Sequence, residues 1–140
     1  MDIINKHDYV NKAETVIKEL ISDAKNANSK KNNKNNKNDY EILTTSQLHK
    51  QLSMTAELFL LAERDSSDKL NQDLLDRIEY LRVQFIYQAG REQLVRKFID
   101  KAGILQILKT IKENKEDFLT YCRYMEALVA FRKYYGNKDS

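Results

Sequence analysis

Apolar residues recur every three or four positions along most of this 140-residue chain. That spacing places them on one face of a helix. The most strongly patterned stretch runs from Asp73 to Arg91, DLLDRIEYLRVQFIYQAGR. Leu74, Ile78, Leu81 and Phe85 fall on one face, and Tyr80, Val83 and Tyr87 on nearly the opposite face. A helix that is apolar on two faces is usually enclosed by neighbours. This segment is therefore expected at the centre of the fold, closed by Gly90 in the left-handed conformation.

The pattern predicts further helices on both sides. The first begins near Asp8, a candidate N-cap, with Val10, Ala13, Ile17, Leu20 and Ala24 as its stripe and Val16 and Ile21 widening it. The second opens at Thr44, whose spacing from Gln47 is that of a capping box, with Thr45 as the alternative cap. It carries Leu48, Leu52, Thr55, Ala56, Phe59 and Leu60. Asp68, in the polar break from Arg64 to Lys69, is the candidate cap of the central helix. Beyond Gly90, Leu94, Val95, Phe98, Ile99 and Ala102 form a stripe ended by Gly103, and Ile104, Leu105, Leu108 and Ile111 a short helix. The last helix, with Asn114 as candidate cap, sets Phe118, Cys122, Met125 and Val129 inward, joined by Tyr121, Leu128 and Tyr135. Arg123, Glu126, Ala130 and Lys133 take its wetter side, and Gly136 ends it. The fold class is all-α, a compact bundle of about five to six helices. The absence of proline and the presence of only three glycines argue against a sandwich or barrel, which needs more turn residues.

Charge refines this outline. The stretch from Lys25 to Asn38 holds five lysines and no acid. It has almost nothing to bury and is expected to be disordered. The organisation is then a helix over residues 1–27, an Asn/Lys-rich loop over 28–38 and the bundle over 39–136, in a single domain. Setting those five lysines against the net charge of +3 leaves −2 for the rest of the chain. A nucleic-acid surface on the folded part is thus a local patch and not a bulk property. The apolar runs are too short for a transmembrane helix, and MDIINKHDYVNK lacks the apolar core of a signal peptide. A single cysteine, Cys122, excludes an internal disulfide and suits a reducing cytoplasm.

Little here supports catalysis. There is no phosphate-binding glycine loop. His7 and His49 are isolated, so no metal site and no cofactor are expected. Cys122, at an inward position, reads as a small core thiol. The acids stand singly among bases, as on solvated helix faces. In the last helix Tyr121, Tyr124, Tyr134 and Tyr135 lie beside Arg123, Arg132 and Lys133. Such interleaving serves stacking and phosphate contacts, or else the rings pack in the core with their hydroxyls at its rim. The residues alone describe a binding or scaffolding module.

Two segments taken together carry a family resemblance. EYLRVQFIYQAGRE (Glu79 to Glu92) and YCRYMEALVAFRKYYG (Tyr121 to Gly136) resemble the small subunit of type III-A CRISPR effector complexes, the Csm family. TTSQLHK (Thr44 to Lys50) and the intervening KFIDKAGIL are similar to it as well. The resemblance covers roughly residues 40 to 136 and leaves residues 1 to 38 outside. It implies a helical bundle without enzymatic activity, acting in antiviral defence. Copies would self-associate as the minor filament beside the backbone and large subunits of the complex, in contact with guide RNA and target RNA. It also points to Arg82, Arg91 and Arg123 as RNA-facing residues, with Lys50, Arg96 and Lys133 as secondary members. Arg82 otherwise pairs with Glu79, and Arg91 and Arg123 with ordinary surface acids. A helical protein–protein adaptor without RNA contact is the alternative reading, and a small helical nuclease a more distant one.

Overall fold

Three of the six helix starts among the described residues are fixed by polar side chains that precede them. Asn71 Oδ1 accepts from the Leu74 amide at 2.8 Å and Asn114 Oδ1 from the Asp117 amide at 3.1 Å. Thr44 and Gln47 exchange two hydrogen bonds, at 2.8 and 3.0 Å, as a complete capping box. The computed structural model describes residues 4–31 and 40–136, with backbone alone for 28–31. Among these, six helices follow one another: α1 (Tyr9–Lys31), α2 (Thr45–Arg64), α3 (Gln72–Arg91), α4 (Gln93–Ala102), α5 (Ile104–Thr110) and α6 (Lys115–Tyr135). Gly103, at φ 69°, supplies the left-handed link between α4 and α5.

The all-α expectation holds, and several of its details change. Asp68 does not cap α3; Asn71 does, while the Asp68 carbonyl accepts from the Lys115 amide at 3.1 Å. The Asp8 carboxylate turns back to the Asn5 amide at 2.8 Å, and Asn5 Oδ1 holds the His7 and Asp8 amides in return. Gly90 lies inside α3 and is not left-handed; the helix continues to Arg91. α1 extends to Lys31, into the tract expected to be unstructured, and the rest of that tract, residues 32–38, lies outside the described residues.

The largest correction concerns the centre of the bundle. α3 buries only one face, made of Leu74, Ile78, Leu81, Phe85 and Gln88. Tyr80, Val83, Ile86 and Tyr87 stay 63, 55, 50 and 62 % exposed. The central element is α6, which packs against α1, α2 and α5. Its buried residues, Phe118 to Cys122, Tyr124, Met125, Leu128, Val129 and Arg132, go round most of the helix. α2 differs too: Leu48, Gln51, Thr55, Leu58 and Ala62 face inward, while Ala56 and Leu60 are exposed.

The bundle divides into two packed groups. α1 and α2 flank α6, whereas α3, α4 and α5 pack on one another and touch the first group through α2·α3, α1·α4 and α5·α6. The linkers at the base of α3 and α6 meet side by side. The Leu70 amide donates to the Glu113 carbonyl at 2.7 Å, and Lys115 to Asp68 as above. Lys101 on α4 reaches Asp23 at 3.0 Å and Glu19 at 3.7 Å on α1. Its pKa is raised, first by the hydrogen bond to Asp23 and then by both carboxylates, against a smaller lowering by desolvation.

Candidate functional site

The α3–α4 corner is built from a short sequence of chemically distinct residues, Ala89-Gly90-Arg91-Glu92-Gln93. Its position is set from α2. Gln47 Oε1 caps that helix, and its Nε2 donates to Glu92 Oε2 at 2.5 Å. One side chain therefore closes the start of α2 and ties it to the residue joining α3 and α4. Glu92 makes no side-chain cap on α4; its Oε2 accepts from Gln47 instead.

At this corner lies a groove of about 480 Å³ lined by Ala89, Gly90, Arg91, Gln93, Arg96, Lys97 and Asp100. Three cations line it against one acid. Arg96 Nε stands 3.7 Å from Asp100 Oδ2, an exposed pair one helical turn apart, worth little in water. The Arg91 guanidinium lies over the Tyr87 ring, 5.7 Å from its centroid, a cation–π contact that keeps it on the surface of α3. Such a site can hold phosphate oxygens through charge and present a ring face at its edge.

The sequence-derived basic residues are only partly gathered here. Arg91 and Arg96 line the groove, and Lys97 joins them. Lys97 is not among the basic residues the sequence singles out; its adjacency to Arg96 is the signal that points to it. Lys50 is exposed on α2, one turn beyond Gln47. Arg82 is not a charge on an enclosed helix: it donates to both Glu79 oxygens, at 3.1 and 3.3 Å, on the exposed side of α3. Arg123 is half-buried on α6 and Lys133 exposed on the same helix, and neither lines the groove.

The last helix divides its aromatics between core and surface. Tyr121 and Tyr124 are buried; Tyr121 Oη pairs with Thr55 Oγ1 at 3.4 Å and Tyr124 Oη donates to the Ala102 carbonyl at 2.8 Å. Tyr135 donates to Glu14 at 2.6 Å, and Tyr134 is exposed. Arg132 is fully buried and donates to the Leu43 carbonyl at 3.0 Å. It braces the segment entering α2 and is lost to any surface role. Burial raises the Cys122 thiol well above the ordinary cysteine range, and the nearby Glu126 adds to this. Among the described residues no cluster of three or more His, Cys, Asp or Glu could hold a metal ion. No described helix is long and apolar enough to cross a membrane.

Comparison with known proteins matches residues 14–138 to the family model described as Csm2 Type III-A. The chain belongs to the Csm2 type III-A family. A Streptococcus thermophilus relative, the CRISPR system Cms protein Csm2, is 45% identical over 139 residues, covering 99% of this chain and all of the relative. The protein of the same name from Mycobacterium tuberculosis (strain H37Rv) is 44% identical over 97 residues, 69% of this chain and 78% of its own length. The Enterococcus italicus protein of that name is 38% identical over 99 residues, 69% and 71% of the two chains. The match to the Csm2 type III-A family reaches further than the two long motifs indicated. It takes in most of α1, so the resemblance begins well before residue 40.

Proposed function

We propose that this chain is a non-catalytic small subunit of a cytoplasmic type III-A CRISPR ribonucleoprotein in antiviral defence. Copies stack as the minor filament alongside the backbone and large subunits and hold target RNA along the guide duplex. Membership of the Csm2 type III-A family over nearly the whole chain carries the reading. The groove holding Arg91, Arg96 and Lys97 agrees with it. These cations contact phosphates irrespective of base, as a guide-programmed complex requires. Lys50, Arg82, Arg123 and Lys133 supply further contacts on other faces, with Arg82 exchanging Glu79 for phosphate when RNA arrives.

The test replaces Arg82, Arg91 and Arg123 together with Ala in the assembled complex. The log–log salt dependence of target-RNA binding should flatten by roughly 2, at about 0.7 per single-strand phosphate contact. The variant should still copurify with the tagged backbone subunit, because no buried residue of the core is touched. An unchanged slope and affinity rejects the arginine assignment. A pure chain that cleaves RNA with a divalent cation, and loses this on one acid substitution, rejects the scaffold reading.

The adaptor reading retains one specific observation, the exposed Tyr80, Val83, Ile86 and Tyr87 on α3. Large apolar side chains exposed together on one helix often mark a contact surface. In the filament, Tyr80, Val83 and Ile86 meet a protein neighbour. Failure of the assembled complex to depend on any of the basic residues, with loss of assembly on changing Val83 to Glu, would favour the adaptor.

A further inference from the structure

Nothing among the described residues explains Gly90. It lies inside α3 with a negative φ, and a Cβ built on it meets nothing within 4 Å. Glycine weakens a helix relative to alanine, so the fold gains nothing from it here. Its surroundings are chemically specific. Gly90 lines the basic groove together with Arg91, Arg96 and Lys97. One turn earlier, Tyr87 stands 62 % exposed with the Arg91 guanidinium over its ring. A helix position without a side chain, in a groove with three cations and one turn from a ring still largely exposed beneath Arg91, suits a close-approaching polyanion that carries flat groups. An unpaired nucleotide has that chemistry: phosphates for the cations, a ribose small enough to pass over glycine, and a base for the ring.

We propose that the α3–α4 corner binds single-stranded RNA in close contact. The ribose–phosphate chain passes over Gly90 alongside Arg91, Arg96 and Lys97, and one unpaired base stacks on Tyr87. The inference rests on the RNA-binding reading and adds to it two neutral residues that charge counting does not find. Charge complementarity favours RNA over a protein occupant, since the groove presents three cations and one acid. Val83, about two turns from Gly90, remains available for a protein neighbour.

The test uses the full-length chain, alone and in the assembled complex, titrated with a short single-stranded RNA carrying 2-aminopurine. Gly90→Gln adds a neutral side chain into open space on a helix and should melt no lower in urea than the wild type. It should nevertheless weaken RNA binding about tenfold or more, since the approach is blocked. Tyr87→Leu should weaken binding about five- to tenfold and remove the change in 2-aminopurine emission, as expected for loss of one stacked base. Its salt slope should match the wild type, because no charge is lost. Arg96→Ala should do the reverse, lowering the slope by about 0.7 while the emission change remains. If either Gly90→Gln or Tyr87→Leu binds RNA as the wild type does, the proposal is overturned and the wider RNA-binding reading stands. If Gly90→Gln binds RNA normally and is excluded from the complex, the corner is a protein contact and the proposal fails. If the wild-type chain contacts no RNA, alone or assembled, both readings fall together.

Discussion

At the scale of single residues, burial decides between chemistry and packing. Cys122 lies on the inner face of α6, and desolvation raises its thiol pKa. A thiolate-directed reagent should therefore modify the native protein far more slowly than the protein in denaturant. The pH dependence has a definite sign. With the folded pKa above the unfolded value of about 8.5, the unfolded chain loses its proton first as pH rises. The stability from this group is complete below about pH 8.5 and falls by up to about 1.4 kcal/mol per pH unit above it. Urea melts from pH 8 upward should fall more steeply for the wild type than for Cys122→Ala. A common slope would mean that the thiol is not desolvated. Arg132 is the opposite case, a residue whose sequence neighbourhood suggested a surface base. It sits among apolar side chains of α6, and its charge is directed at the Leu43 carbonyl. A helical wheel has no means of showing that a backbone carbonyl from a distant segment waits on its inner side.

At the scale of elements, the two apolar faces of α3 are the instructive failure. The period of three and four places Leu74, Ile78, Leu81 and Phe85 correctly against the core. The same rule applied to Tyr80, Val83 and Tyr87 points to a neighbour that the described residues do not supply. Phe85→Ala should lose roughly 3–5 kcal/mol through the cavity it leaves, whereas Tyr80→Ala should change stability by less than about 0.5 kcal/mol. Equal losses in urea melts would mean that the second face is covered after all. The start of α2 offers a sharper trial. Glutamate is an ordinary capping-box residue and would still accept the Thr44 amide. At position 47, however, it would bring a second carboxylate against Glu92. Gln47→Glu should therefore be destabilising at neutral pH, with the deficit shrinking as pH falls through the carboxylate range. A deficit that does not change with pH would show that the Gln47–Glu92 contact carries no weight.

At the scale of the whole molecule, the order and type of the helices were legible because periodicity and caps are local. Thr44, Asn114 and Gly103 all do what their spacing indicates. The identity of the central helix was not legible, because enclosure depends on which elements come together. α6 is surrounded because α1 and α2 close over it from distant parts of the chain. The basic residues were legible as types and less so as a site: Arg91 and Arg96 meet in one groove, while Arg123 and Lys133 lie on another helix. The pairing of the two linkers has a consequence of its own. Leu70 and Glu113 are hydrogen-bonded, so the intervening chain, which holds α3, α4, α5 and the whole basic groove, leaves the body and returns at one point. It is an excursion with its ends already tied, and opening it does not require α1, α2 and α6 to separate. Native-state hydrogen exchange should then show amides of α3 to α5 opening together at a lower free energy than those of α6. Uniform protection across all six helices would mean a single cooperative unit. A tied excursion can also be exchanged between relatives as a piece, with its two ends as the only covalent joints.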